Sequence, residues 1–283
     1  MKTSRFFLPA LLLLTATVCA QEHKQQVKPE DLLVRIPNSV HRQVATRAGD
    51  RYYDVYIHYP AGYDTASRRF PVLYVVDGDN DFSPAIEYLG LLVAEFHITE
   101  PILVAIGEDG LIGTPKNKRN RDFTPTKVAG RPESGGAGRF LDFIRQDLIP
   151  SIDSTLKTDR SDRSLYGYSM GGLFATYVLF EQPGLFKNIL IGSPALGYDS
   201  GSIFTYEKAY AGVHKNLSVN VFMEVGEFET PAQRIPDKQL SELLKNAHYQ
   251  GLNFKHTILF EATHLSGKPN TMLQALRWAY TGK

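Results

Sequence analysis

The sequence predicts an α/β fold, with a mostly parallel central sheet flanked by helices and an antiparallel hairpin near its N-terminal end. Three observations predict it. Residues 71–76 and 102–106 are continuous apolar runs of strand length, the pattern of strands covered on both faces. Segments with helical spacing separate such runs. Gly167-Tyr168-Ser169-Met170-Gly171 stands between a short apolar strand and an apolar helix.

The hairpin comes first, with strands at 41–46 and 53–59 and Ala48-Gly49-Asp50 turning between them. In the second strand Tyr53, Val55, Ile57 and Tyr59 share one face, a period of two. Pro60 and Gly62 end it. Strand 71–76, a helix at 86–96 and strand 102–106 follow. Phe140, Ile144 and Leu148 give helical spacing over 140–149, ending before Pro150. Residues 164–166 form the strand into the pentapeptide, and 172–180 the helix behind it. Strands at 188–191, 219–225 and 252–260 alternate with helices at 240–247 and 271–280.

The chain has 283 residues, 43% hydrophobic and 22% charged, an ordinary composition for one large domain. Residues 1–20 read as a secretory signal. Lys2 and Arg5 precede the apolar run 6–14, and Val18-Cys19-Ala20 ends in a small residue, so cleavage follows Ala20. The expected location is therefore outside the cytoplasm, periplasmic or secreted. The run is too short to span a bilayer comfortably, and no other segment is long enough. Residues 21–37 form a polar lead-in, and 38–283 a single domain. Cys19 is the sole cysteine, so cleavage after Ala20 leaves no thiol chemistry. Lipidation of Cys19 is the rival, for which Ala16-Thr17-Val18 is a poor match. Losing Lys2 and Arg5 takes the formal charge from +1 to −1, which points to neither nucleic acid nor a membrane surface.

In its strand–helix context the Gly-x-Ser-x-Gly pentapeptide is a nucleophile elbow, a sharp turn that exposes the Ser169 hydroxyl. A serine needs a base to take its proton, and the partners of an elbow serine follow it as acid, then histidine. Of the downstream histidines, His214 and His248 read as surface residues, and His256 lies inside a strand. His264 lies just past the last strand, at the sheet edge where a base reaches the elbow. The loop after the preceding strand offers Glu227 and Glu229. Glu229 is favoured because it sits further out on the turn, where it can swing toward His264. Glu224 lies within the strand, and a Ser–His dyad with no acid is the alternative. An oxyanion hole needs two N–H groups. One is that of Met170. The other is expected from Asp79, in a turn where Gly78 lets the backbone approach the substrate. The long loop 107–138 holds Lys116, Lys118, Arg119, Arg121, Lys127 and Arg131 against only Asp122 over 116–131. Such a field favours an anionic or catechol-rich ester.

Residues 53–63, 72–78, 119–126, 135–140 and 192–196, together with the elbow, resemble the Putative esterase family of α/β-hydrolases. That family includes enterobactin-type siderophore esterases, feruloyl and acetyl-xylan esterases, and mycolyltransferases. The resemblance covers nearly the whole mature chain. Its most distinctive stretch is Arg119-x-Arg121-Asp122-x-Thr124-Pro125-Thr126, closest in look to the periplasmic siderophore esterases, which cut the serine-lactone backbone of catecholate siderophores. By this resemblance Arg121 and Arg119 face the substrate or brace the loop that does, and some members work with a Ser–His dyad. The implied activity is hydrolysis of a carboxylic ester through an acyl-enzyme, without metal or cofactor. A carbohydrate, feruloyl or small aryl-ester esterase is the next possibility, then an acyltransferase. A binding protein that keeps the fold is a rival of another class.

Overall fold

Every residue of Val72–Val75 and of Ile102–Ile106 is buried, as continuous apolar runs require at the middle of a sheet. The computed structural model describes residues 35–281. The expected signal (1–20) and most of the lead-in (21–37) lie outside the described residues. Eight strands make one sheet: β1 (Ser39–Ala45), β2 (Tyr52–His58), β3 (Phe70–Val75), β4 (Ile102–Ile106), β5 (Thr158–Tyr168), β6 (Asn188–Gly192), β7 (Asn216–Gly226) and β8 (Gln250–Leu259). Their order is β1-β2-β4-β3-β5-β6-β7-β8. β1 and β2 pair antiparallel, as does β2 with β4, and every later pairing is parallel. The expected mostly parallel sheet with an N-terminal hairpin is the observed one.

Helices cover both faces. On one lie α1 (Gly78–Phe96) and α8 (His264–Thr281), packed on Leu73, Val75, Leu103, Ala105, Tyr166 and Phe222. On the other lie α3 (Ala137–Phe143), α4 (Ile149–Thr155), α5 (Met170–Glu181), α6 (Ile203–Val213) and α7 (Pro231–Asn246), over Val72, Tyr74, Val104 and Leu165. Alternate strand residues therefore serve alternate layers. Every residue from Gly171 to Phe180 is buried, so α5 is apolar all round. Phe174 anchors it within an aromatic group, 4.9 Å from Phe140 and 5.8 Å from Phe123 between ring centroids. Among the described residues no helix is long and apolar enough to cross a membrane.

Helix starts differ most from expectation. α1 begins at Gly78, not residue 86. Asp79 and Asp81 in its first turn favour the positive end of the helix dipole, and Pro84 is carried inside. α7 starts at Pro231, where a missing N–H costs nothing, and α8 starts at His264 despite Gly267 and Pro269. The helix expected at 140–149 continues past Pro150. A π-helical stretch, Ile144–Leu148, precedes α4, and its wider turn absorbs the proline that an α-helical register would reject. The loop 107–138 contains a short helix, α2 (Arg119–Phe123).

An ion pair joins the starts of α1 and α8: Lys268 Nζ lies 2.6 Å from Asp81 Oδ1. Burial pushes the Asp81 carboxyl up to about 6, and Lys268 only partly offsets it.

Two predictions follow from this packing. Truncation of Phe174 to alanine removes the anchor of the aromatic group. It is expected to lower the unfolding free energy by about 3–5 kcal/mol in urea titrations. Asp81 holds its proton more tightly folded than unfolded. Its contribution to stability is therefore full below its ordinary value of 3.8 and lost as pH rises through about 6. The stability difference between the wild type and Asp81→Asn should fall across that window. A difference that rises with pH in urea titrations would contradict the assignment.

Candidate active site

β5 runs into α5 through one residue, Ser169, at φ 59° and ψ −113°. That conformation is costly for a side chain other than glycine and needs support from its neighbours. The Ser169 N–H donates to Gly192 O at 2.9 Å, and the Ser169 carbonyl accepts from Ala195 N and Leu173 N, both at 2.9 Å. The end of β6 thus holds the turn. The glycines of the motif are there for space. A Cβ on Gly167 would lie 2.2 Å from Gly171 O, and one on Gly171 would lie 2.9 Å from Val76 Cγ2. Serine is a favoured N-cap, but Ser169 makes no side-chain cap to α5. Its hydroxyl turns to His264 instead, with Oγ 3.0 Å from Nε2.

His264 is the first residue of α8. Its carbonyl accepts a 2.6 Å bond from Tyr168 Oη, and its ring lies 5.2 Å from the Tyr168 ring. Its Nδ1 lies 2.8 Å from Glu229 Oε2. A carboxylate can only accept, so the Nδ1 proton points to Glu229 and Nε2 is left to accept from Ser169. Glu229 is buried in the loop between β7 and α7. Its Oε1 accepts from Gly226 N at 3.0 Å, and its Oε2 from Ser193 Oγ at 2.6 Å. Burial alone would raise its pKa, but the bonds from His264, Ser193 and Gly226 outweigh it and hold the carboxyl below its ordinary value.

The structure therefore brings Ser169, His264 and Glu229 into one hydrogen-bonded chain. Such a chain can draw the proton from a serine as it attacks a carbonyl. The expected swing of Glu229 is corrected: it is fixed by three donors. Glu227 is engaged elsewhere, accepting from Glu261 N at 3.0 Å. Glu224 accepts from the hydroxyls of Thr257 and Thr271, at 2.7 and 2.8 Å. His256 lies 2.7 Å from Asp237 Oδ2, within β8. Ser193 lies in the stretch 192–196 that carries the resemblance, but the sequence assigns it no role. The signal available was a small hydroxyl residue just past the strand beside the elbow strand.

Met170 begins α5, so its N–H lacks an acceptor within the helix. Asp79 lies in the first turn of α1, where the same holds. Its carboxylate accepts from Tyr56 Oη at 2.7 Å, Glu108 N at 2.8 Å and Gly110 N at 3.1 Å. Gly78 is also needed for packing. A Cβ there would lie 2.6 Å from the Ile106 backbone, so glycine lets α1 close onto β4.

Arg119 and Arg121 are paired with carboxylates. Arg119 Nε and Nη2 lie 2.7 and 2.8 Å from the two oxygens of Asp77, and Nη2 also donates to Tyr168 O at 3.4 Å. Arg121 grips Asp122 in the same two-pronged way, at 2.8 and 2.7 Å. Arg119 thus ties the loop to Asp77, just past β3. Lys118 lies 3.5 Å from Glu133. Three of the six basic residues are thus paired with carboxylates. Behind Asp77 sits Glu108, fully buried, accepting the Asp77 N–H at 3.1 Å. Burial first, and then the charge of Asp77, raises its pKa well above the ordinary value.

Three apolar side chains of the segments that carry Glu229 and His264 are exposed. Phe228, Phe260 and Leu265 are 60%, 74% and 82% exposed. Their segments are tied together by Phe228 N to Ala262 O and Glu227 N to Leu259 O, both at 2.9 Å.

Residues 46–255 match the family described as Putative esterase. Ferri-bacillibactin esterase BesA of Bacillus subtilis is 28% identical over 263 residues, covering 86% of this chain and 90% of its own. The siderophore triacetylfusarinine C esterase of Aspergillus fumigatus is 30% identical over 217 residues, covering 73% and 74%. Among solved structures, the BES protein of Bacillus cereus superposes with a TM-score of 0.77 at 25% identity, covering 88% of this chain and 97% of that one. An IroE-like serine hydrolase of Shewanella oneidensis gives 0.77 at 26% identity, covering 86% and 80%. With the family matched over most of its length and its relatives esterases, the chain belongs to the Putative esterase family and is a carboxylic-ester hydrolase.

Proposed function

We propose that this protein hydrolyses the ester backbone of a siderophore through an acyl-enzyme on Ser169. The observation that carries the chemistry is the 3.0 Å contact between Ser169 Oγ and His264 Nε2, continued at 2.8 Å from Nδ1 to Glu229. His264 takes the hydroxyl proton while Ser169 attacks the ester carbonyl. The developing imidazolium is stabilised by the ionised Glu229. The tetrahedral oxyanion is held by the N–H groups of Met170 and Asp79, a contribution on the order of 3 kcal/mol for each donor. His264 then gives its proton to the leaving alcohol. A water activated by the same nitrogen attacks the acyl-enzyme, releases the acid and restores Ser169.

The substrate class rests on the relatives. The names of BesA and of the Aspergillus enzyme assign them ferri-bacillibactin and the siderophore triacetylfusarinine C. In this chain Arg119 and Arg121 shape the loop over the site rather than supplying free charge. The exposed Phe228, Phe260 and Leu265 suit the flat rings and methylenes of such a molecule. Export into the periplasm or medium, argued from residues 1–20, would place the enzyme where siderophores arrive.

The test is hydrolysis of a short-chain nitrophenyl ester and of a tricatecholate trilactone, iron-free and iron-loaded, side by side. The lactone is expected to be cleaved with a kcat/KM about 100-fold or more above that of the simple ester. Ser169→Ala should lower both by roughly 1,000-fold or more. Cleavage of the simple ester alone would keep the serine esterase and remove the siderophore.

A further inference from the structure

We propose that Ser193 is a positioning residue with two settings: it fixes Glu229, and it takes over as the partner of His264 Nδ1 when that carboxylate is lost. The inference rests on the proposed serine-esterase reading of the site.

Ser193 Oγ stands at the corner of a triangle. It lies 2.6 Å from Glu229 Oε2 and 3.0 Å from His264 Nδ1, the two atoms that are themselves 2.8 Å apart. Its position is not a matter of free rotation in solvent, because the residue is 1% exposed. The backbone is held at φ 36°, a left-handed value unusual for serine. Its N–H donates to Glu224 O at 2.7 Å, and its carbonyl accepts from Gln233 Nε2 at 3.3 Å. Gly192, just before it, supplies the carbonyl that holds Ser169. The same strand end therefore carries the support of the nucleophile and the support of the acid.

A hydroxyl both donates and accepts. With Glu229 in place, Ser193 gives its proton to the carboxylate and helps to keep it ionised and aimed at Nδ1. With Glu229 removed, the same oxygen can accept the Nδ1 proton from where it stands. The imidazole then keeps the tautomer that leaves Nε2 free for Ser169. Loss of the acid should consequently cost less than in a site where nothing else fixes the tautomer, and what remains should depend on Ser193.

The experiment is a double-mutant cycle of Ser193→Ala and Glu229→Ala, assayed with a nitrophenyl ester and accompanied by thermal unfolding. Ser193→Ala alone is expected to lower kcat about 3- to 10-fold with KM unchanged, whereas in the Glu229→Ala background it should lower kcat a further 30-fold or so. An equal factor in the two backgrounds, or a loss that tracks a lower unfolding midpoint, would overturn the proposal. Glu229→Leu, which also removes the acceptor but fills more of the space, is the second background should Glu229→Ala not fold, with the same expectation. Failure of the underlying reading looks different: activity would survive Ser169→Ala, whatever the cycle gave.

Discussion

The turn at Ser169 depends on backbone bonds from one neighbouring strand. A serine at φ 59° and ψ −113° is unfavourable by itself. It persists because Gly192 O and Ala195 N, at and just beyond the end of β6, hold both its polar backbone groups, while Gly167 and Gly171 leave room for the chain to double back. A side chain at either glycine would meet backbone or Val76 and open the turn. Because the turn is closed, the hydroxyl stands at the C-terminal edge of the sheet and α5 opens with unpartnered N–H groups beside it. Parallel strands bring the other loops to the same edge, so residues distant in sequence converge on one atom.

Around that point the protein manages buried charge by pairing it. Glu229 stays ionised in a dry place because three donors converge on it. Asp77 is matched by both prongs of Arg119, which also donates to the carbonyl just before the nucleophile. This joins the end of β3, from which α1 departs, to the elbow, so the two helix N-termini that flank the site share one brace. Breaking a buried pair of this kind leaves a charge stranded, and such pairs are accordingly stiff parts of a site. Glu108, with no ion pair among the described residues, has its pKa raised by burial and by the charge of Asp77.

The parts legible in the sequence are those written locally. Strand runs such as Ile102–Ile106, the elbow and the order Ser169, Glu229, His264 all have short-range signatures, and each residue stands where its strand or loop carries it. Helix starts were harder to read. Asp79, Asp81 and Pro84 resemble a loop until the dipole and the sheet beneath are known, and Pro231, Gly267 and Pro269 look like breakers although they sit within helical turns. Pairings across long separations left no local trace. The six basic residues of 116–131 read as a positive field because Asp77 and Glu133, which neutralise two of them, lie outside that window. Ser193 carries no periodicity and sits beside no second chemical group in sequence; its role comes only from the sheet that sets β6 between β5 and β7.

The most direct test of the account is covalent labelling by a fluorophosphonate, followed by peptide mass analysis. Activation of Ser169 by His264 predicts a single phosphonylated residue, Ser169, with labelling slowed by orders of magnitude in a folded His264→Ala protein. Labelling of Ser169 at an unchanged rate without His264, or no labelling of Ser169 in the wild type, would contradict it.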